Sequence, residues 1–207
     1  HLIRNNSGES DEDWRQRIIG DITTAQRRIT EETGVAPRLF AHPYGEYNPA
    51  TLQIIRDLGL TGFGQQSGPA WPGADFSALP RFPMAASYAG MQSFITKVNT
   101  LPLPVIAADP ADPVVPLGQA RPVLTLRLKP DTYSQSAIQC YVDGSSDVAI
   151  SWSTEIPEQF TVTPNFDLGP GRHRTNCTMP SAEKGRFHWF SYNWFIRNTD
   201  GGWYAEY

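Results

Sequence analysis

The first half of the chain alternates segments with helical spacing of apolar residues and shorter segments with a strand pattern. The longest segment follows Ser10, a residue type that caps helices, and ends at Gly34, a residue type that terminates them. Its apolar residues recur every three or four positions and predict one buried helix face: Trp14, Ile18, Ile22, Ala25 and Ile29. A short strand is predicted next, at residues 38–41.

A second helix is predicted from Pro49, because Asn48 is a capping residue and proline suits the first helical position. The other predicted elements of this half are a strand at 60–64, a loop at 65–75, a strand edge at 79–84 and a helix capped by Ser87. Strands that alternate with helices indicate β/α units with parallel strands. About three strands are visible, which is too few to close a barrel.

The pattern changes near the middle of the chain. Residues 101–122 carry a proline every few positions, and proline disfavours helices and interior strands. We therefore predict an extended linker from about residue 101, with a first domain at 1–117 and a second at 118–207.

The second half has apolar residues at every other position, which is typical of half-buried strands. The predicted strands are 123–128, 136–142, 148–154, 159–163, 187–196 and 203–204. Turn sequences separate them, and their spacing predicts an antiparallel β-sandwich. The predicted fold class is thus α/β followed by all-β.

Composition narrows the function classes. The 207 residues are 40% hydrophobic and carry a net charge of −4, so nucleic acid and anionic membranes are not expected partners. No apolar stretch approaches the length of a transmembrane helix. The chain starts at His1 without an initiator methionine or a signal-peptide pattern, as a mature product or a fragment would.

The two cysteines, Cys140 and Cys177, allow two interpretations. A disulfide is favoured, because a composition rich in aromatic residues, glycine and proline suits an exported domain. The alternative is two buried thiols. No CxxC or CxxH pairing indicates a metal site at the cysteines. The expected location is secreted, periplasmic or associated with the cell envelope.

The stretch Phe40–Ala41–His42–Pro43–Tyr44–Gly45–Glu46–Tyr47–Asn48 carries the most information about function. Pro43 fixes φ, and Gly45 permits a turn that a side chain would forbid. A loop that follows the carboxyl end of a strand and precedes a helix is where α/β folds place their chemistry. The alternative is an ordinary strand-to-helix connection.

These residues resemble the third motif of the polysaccharide deacetylases, the carbohydrate esterases with NodB homology. The surroundings agree with that family: residues 33–37 end the preceding helix, residues 58–63 follow the next helix, and Leu79–Pro80–Arg81 is similar to a downstream segment of poly-N-acetylglucosamine deacetylases. The resemblance covers about residues 1–100. The β-rich half is not part of the family's core.

The resemblance implies a partial distorted (β/α) barrel and a divalent metal, zinc or similar, held by one Asp and two His. It also implies an Asp base and a reaction that removes acetyl groups, most plausibly N-acetyl groups, from a polysaccharide. The backbone N–H of Tyr44 would donate to the oxyanion, while Pro43, Gly45 and His42 would face the substrate.

The departures from the family are equally specific. Its first motif, which carries the base and the metal Asp, has no counterpart in the sequence, so we expect the chain alone to be inactive and to need the amino-terminal part of the barrel.

His1 lies near the place of a metal ligand, and the alternative is an exposed terminal residue. Arg81 is the candidate for orienting the base, since Ala41 stands where the family commonly has Arg; the alternative is a surface arginine. His42 is either a substitute general acid or a packing residue.

Two further sets of residues leave alternatives open. Asp75 and the pair Gln65–Gln66 could contact a sugar, although a solvated loop is the simpler interpretation. Four tryptophans of the second half could form a sugar-stacking platform or fill the sandwich core: Trp152, Trp189, Trp194 and Trp203. The second hypothesis for the chain is therefore a carbohydrate-binding or structural β-sandwich attached to an inactive deacetylase remnant.

Overall fold

Two compact units make up the computed structural model, which describes residues 1–130 and 132–205. The first, here called the α/β unit, comprises residues 1–65 and 73–79. The second, the β unit, comprises residues 66–72 and 80–207 in so far as they are described. The predicted boundary near residue 118 stays a prediction.

Helix α1, Asp11–Thr33, has the caps that the sequence predicted. The Ser10 side chain accepts from the Asp13 N–H, and Gly34 adopts φ 73° and donates to the Thr30 carbonyl. The predicted apolar face is buried only in its first half, at Trp14, Ile18 and Ile22, whereas Ala25 and Ile29 are exposed. The reason is that the core of the unit ends there: its other members are Ile54, Ile55 and Leu60.

Strand β1, Leu39–Ala41, pairs in parallel with β2, Thr61–Phe63. Phe63 in turn forms a parallel bridge with Leu79, so the predicted strand edge at 79–84 is reduced to one residue. Helix α2, Pro49–Asp57, begins with a capping box between Asn48 and Thr51. Among the described residues these strands form no closed barrel.

The β unit begins with helix α3, Met91–Val98, whose N-cap is Gly90. The prediction that Ser87 caps this helix is wrong, because Ser87 lies in a separate 3-10 turn, Ala86–Tyr88. The predicted apolar positions of α3 are all exposed: Met91, Phe94, Ile95 and Val98.

The proline-rich segment contains two short strands rather than only a linker. They are β3, Leu101–Pro102, and β4, Val105–Asp109. Each lies at the edge of a sheet, where proline is tolerated because one side of the strand makes no ladder bonds.

Six further strands complete the β unit: β5 Leu124–Leu128, β6 Gln139–Val142, β7 Val148–Trp152, β8 Gln159–Pro164, β9 Gly171–Pro180 and β10 Phe187–Ile196. The sheet orders are β3-β10-β9-β6 and β4-β5-β8-β7. Apart from the parallel pair β3–β10, neighbours are antiparallel. One hydrophobic core contains buried side chains of both sheets, including Leu126, Phe160, Cys177 and Trp194, so the unit is a sandwich.

Residues 203–204, predicted as a strand, are irregular. A turn occupies this region: the Asn198 N–H donates to the Gly202 carbonyl, and the Asn198 side chain donates to the Trp203 carbonyl. Strand β9 lies outside the strand ranges that the sequence predicted.

Cys140 of β6 and Cys177 of β9 are opposite each other in the ladder and joined by a disulfide. Both are buried in the sandwich core. No helix in the described part of the chain combines the length and apolar character needed to cross a membrane.

Candidate functional site

The candidate site is built on the turn that follows β1. The His42 N–H donates to the Phe63 carbonyl at 2.9 Å, which extends the pairing of β1 with β2 by one residue. The chain then makes a tight 3-10 turn, Pro43–Gly45, closed by bonds from the Gly45 N–H to the His42 carbonyl and from the Glu46 N–H to the Pro43 carbonyl. The turn therefore starts at the carboxyl end of a parallel strand.

Tyr44 is the strained residue of this turn. Its φ of 58° and ψ of 8° lie in the left-handed region, which residues other than glycine rarely adopt. Such outliers persist only where their surroundings fix them, and they are concentrated at functional sites. The left-handed conformation of Tyr44 therefore makes this turn a candidate functional site.

Gly45 is required by both its conformation and its surroundings. Its φ is 72°, and a Cβ at this position would lie 2.5 Å from Cβ of Gln65. A side chain here would therefore displace either the turn or the segment that follows β2.

A buried carboxylate lies directly after the turn. Glu46 is 0% exposed, and its two oxygens contact two different basic side chains. Nδ1 of His1 is 2.8 Å from Oε2, and Nη2 of Arg4 is 3.2 Å from Oε1. Glu46 thus connects the turn to the first residues of the chain.

The same histidine also contacts the strained residue. The rings of His1 and Tyr44 are stacked, with centroids 4.4 Å apart and planes inclined by 16°. His1, Tyr44 and Glu46 therefore form one cluster, in which the carboxylate orients the imidazole against the tyrosine ring.

His42 lies beneath the turn and is 2% exposed. Its Nε2 is 2.8 Å from the Ser77 carbonyl, so this nitrogen donates, and Nδ1 has no partner within the described structure. The ring contacts Phe40 edge-on and Tyr47 at a tilt. Burial lowers the pKa of His42, against the opposing effects of the Ser77 hydrogen bond and the Asp75 charge. A buried neutral imidazole with these neighbours fits the packing interpretation of His42.

Asp75 organises the segment that holds His42. It accepts from the Ser77 N–H at 2.8 Å and from the Ser77 hydroxyl at 2.5 Å, and it pairs with Arg56 at 3.0 Å. Partial burial opposes ionisation of Asp75, but the hydrogen bonds and Arg56 outweigh it and lower its pKa. A chain of contacts therefore runs from Arg56 through Asp75 and Ser77 to the histidine beneath the turn.

The other predicted site residues lie elsewhere. Arg81 is exposed and belongs to the β unit, where its N–H donates to the Gln66 carbonyl. The loop interpretation expected Gln66 to be solvated, but Gln66 is buried. Its side chain accepts a hydrogen bond from Asn193 at 3.3 Å. The role predicted for Arg81 stays a prediction.

The residues present do not by themselves form a metal site. In the described ranges, no three His, Cys, Asp or Glu side chains come close enough to hold an ion. His1 has Glu46 as its acidic neighbour. His1 as a metal ligand therefore stays a prediction.

Three of the four candidate platform tryptophans make packing contacts within the β unit. Trp194 is 2% exposed and donates to the Thr175 hydroxyl in the core. Trp189 packs edge-on against Phe82 and donates to Ser191, and Trp152 stacks on Tyr133. This arrangement fits the core-filling alternative better than a sugar-stacking platform.

Sequence reasoning missed Glu46 and Arg4. Glu46 entered the sequence analysis only as a member of the motif, without a role, and Arg4 was not considered. One signal was present: a single acid within the otherwise uncharged run from Phe40 to Gln53. A lone charge in such a run is a candidate for burial with a partner.

A family model described as polysaccharide deacetylase matches residues 9–63. The match includes α1, β1, the Pro43–Gly45 turn, α2 and β2, and it leaves out the sandwich. No curated protein matches the chain.

Proposed function

We propose that this chain supplies the oxyanion-binding wall of a polysaccharide deacetylase, a hydrolase that removes acetyl groups from an N-acetylated glycan. The observation that carries the proposal is the left-handed turn at Tyr44, at the carboxyl end of a parallel strand, inside the segment that matches the deacetylase family. The acetylated polysaccharide is the proposed partner.

The proposed chemistry uses the backbone of Tyr44. Water adds to the acetyl carbonyl, the carbonyl oxygen gains negative charge, and collapse of the tetrahedral intermediate breaks the C–N bond and releases acetate and the amine. A fixed N–H that points at the developing oxyanion lowers the barrier, because it does not need to reorient as the charge appears. Pro43 and Gly45 fix the N–H of Tyr44 in the proposed site.

The other residues of the site position this donor. His42 is bonded to Ser77 below the turn, Glu46 ties the turn to Arg4, and His1 stacks on the Tyr44 ring. Each contact reduces the freedom of the turn, and a precisely held donor is worth more to catalysis than a mobile one.

The family resemblance implies a divalent metal, and the described residues lack a ligand set for it. We therefore propose that a further segment, equivalent to the amino-terminal part of the barrel, contributes the ligands and the base. Strand β1 offers a place for it, since its outer edge pairs with no strand of the described residues and Leu39 is 68% exposed. Parallel strands are usually buried on both faces.

The test of this proposal is acetate release from an acetylated chito-oligosaccharide. We expect no release by the chain alone, and release that a chelator abolishes when the completing segment is present. Metal-dependent release by the chain alone would refute the need for that segment. No release by the completed protein on N- or O-acetylated glycans would refute the deacetylase assignment.

The role of the Tyr44 N–H can be tested separately, by replacing the amide with an ester at this one position. The change removes the donor and keeps the tyrosine side chain. In the completed enzyme we expect a fall in kcat of roughly 10²–10³-fold, with KM little changed. The same replacement at Tyr47 is the control and should have a much smaller effect on kcat.

For the β unit we propose a structural role in preference to glycan binding. Its own segments cover the outer face of β10 and β9: Asn193 donates to Gln66, and Arg174 donates to Ser67. Tryptophan fluorescence that changes saturably with acetylated or deacetylated glycans would favour glycan binding instead. The disulfide in this unit supports a secreted or envelope location.

A further inference from the structure

His173 occupies an unusual position at the start of β9. Both nitrogens of its ring lie within hydrogen-bonding distance of an oxygen. Nδ1 is 2.5 Å from Oδ2 of Asp143, and Nε2 is 2.7 Å from the Gly169 carbonyl. The side chain is largely buried, with 16% of its surface exposed.

The chemistry of the two oxygens determines the protonation of the ring. A carbonyl can only accept a hydrogen bond, and so can an ionised carboxylate. A neutral imidazole has one N–H, so one of its nitrogens would direct a lone pair at an oxygen. Only the imidazolium, with two N–H groups, satisfies both contacts.

These contacts connect two separate loops. Asp143 lies in the turn between β6 and β7, and Gly169 lies in the loop between β8 and β9. Asp143 is further fixed to β9, since its Oδ1 accepts from the Arg174 N–H at 2.9 Å and its own N–H donates to the Arg174 carbonyl at 3.0 Å. Asp143 also has a left-handed φ of 49°, so its conformation depends on these bonds.

We propose that His173 is a proton-dependent clasp that joins the β6–β7 turn to the β8–β9 loop, closed while the ring carries two protons and opened when it loses one. Opening releases the Gly169 carbonyl or the Asp143 carboxylate, and it loosens this end of the sheet. The clasp is a device of the β unit and does not rest on the proposed deacetylase function.

The charged groups around the ring support the closed state. On the β6–β7 turn, the Asp143 carboxylate faces the ring; in the β8–β9 loop, Asp167 is paired with Arg121 instead. On β9, Arg174 acts on Asp143, and Arg172 lies over the Tyr204 ring. The β10 residue paired with His173 is Trp194, which does not titrate.

Electrostatics agree with this geometry. Burial opposes the charge on His173, but the hydrogen bonds to Asp143 and Gly169 and the Asp143 charge outweigh it and raise its pKa. Burial likewise opposes ionisation of Asp143, yet the bonds from His173 and Arg174 lower its pKa. Because the folded His173 holds its proton more tightly than the unfolded one, the stability from the clasp is complete below the unfolded pKa and is lost as pH rises through the folded one.

The experiment is an NMR titration of the histidine rings from pH 5 to 10 in the wild type and two variants. We expect His173 to carry protons on both nitrogens at pH 7 and to titrate above its ordinary value. Asp143→Asn should lower its midpoint by about one pH unit or more, because it removes an adjacent opposite charge. Asparagine tolerates the left-handed conformation, so the variant should fold. The control is Asp167→Asn, which neutralises a carboxylate of the β8–β9 loop that is bonded to Arg121. It should leave the His173 midpoint unchanged.

Amide exchange at Gly144 and Gly171, measured on either side of the midpoint and corrected for intrinsic pH dependence, reports opening of the clasp. We expect protection to fall when the ring deprotonates. A His173 midpoint at or below the ordinary value, an unchanged midpoint in Asp143→Asn, or undiminished protection after deprotonation would each overturn the clasp.

Discussion

At the scale of single residues, the Glu46 carboxylate links the turn to the rest of the α/β unit. A fully buried carboxylate is costly unless cations and hydrogen bonds compensate it. Here His1 and Arg4 supply the compensation, and His1 also stacks on Tyr44. The strained conformation of Tyr44 is therefore held from outside the turn as well as by the bonds within it.

Replacing Glu46 with Gln should destabilise the α/β unit by roughly 3–5 kcal/mol, because the change leaves a mostly buried guanidinium without its counter-charge. Urea unfolding followed by circular dichroism would measure the loss. The matched control is Glu31→Gln on the surface of α1, where the carboxylate pairs with exposed Arg27 and the expected loss is under about 1 kcal/mol. Equal effects of the two substitutions would contradict a structural role for the buried carboxylate.

Gly45 permits a prediction with an internal control. Gly45 and Gly59 both have left-handed φ angles, of 72° and 65°, but only Gly45 has no room for a Cβ. Gly59→Ala should cost about 1 kcal/mol, the usual penalty of a left-handed alanine. Gly45→Ala should cost clearly more, because the backbone must also move away from Gln65. Comparable unfolding midpoints for the two variants would show that the contact with Gln65 relaxes freely.

The sequence predicted this turn better than its supports. Pro43 and Gly45 have local conformational preferences that a sequence displays directly. Glu46, Arg4 and Ser77 act through contacts between residues more than 30 positions apart, and no local pattern encodes those contacts. Tyr44 adopts a left-handed conformation, as Gly45 does, and conformational propensity alone does not predict this for a tyrosine.

At the scale of elements, caps were predicted where a side chain makes the cap. Ser10 and Asn48 bond the first turns of α1 and α2 as expected. Helix α3 has a glycine cap without a side-chain bond, so the nearby Ser87 drew the prediction three residues too early. The proline-rich segment was assigned as linker because proline is rare in strands, and its two strands were missed because they are sheet edges.

The disulfide joins β9 to the edge strand β6 of the sandwich. Cys140 and Cys177 are buried and lie between β6 and β9, 37 residues apart. Replacing both with Ala should lower the stability of the β unit by about 2–4 kcal/mol, because the cross-link restricts the unfolded chain and the sulfur atoms fill the core. Unfolding of the wild type in the presence and absence of a reductant measures the contribution of the cross-link alone, because the reduced thiols keep their sulfur atoms in the core. A reductant that leaves the denaturation midpoint unchanged after complete reduction would contradict this expectation.

At the scale of the whole molecule, composition indicated two parts but not how the chain is distributed between them. Residues 66–72 and 80–83 belong to the β unit although their sequence continues the β/α pattern. Gln66 and Ser67 make side-chain bonds to β10 and β9 across more than 100 positions. Such pairings depend on the assembled sheet, so no local sequence pattern displays them.

The two units should respond to pH in opposite directions, since each contains a histidine whose pKa is shifted the opposite way. Burial lowers the pKa of His42, so the unfolded chain binds a proton more readily and the α/β unit loses stability as pH falls below about 6.5. His173 has a raised pKa, so the β unit loses stability as pH rises through it. Each histidine contributes a slope of at most about 1.4 kcal/mol per pH unit.

Segment-resolved hydrogen exchange between pH 5 and 9, corrected for intrinsic rates, distinguishes the two responses. Amides of α2 and β2 should lose protection on the acid side, and amides of β9 near Gly171 on the alkaline side. His42→Phe keeps a ring in the cavity without a titrating nitrogen, so it should flatten the acid response of α2 and leave the alkaline response of β9. An acid response of α2 that persists in His42→Phe would assign that response to another group and contradict the prediction.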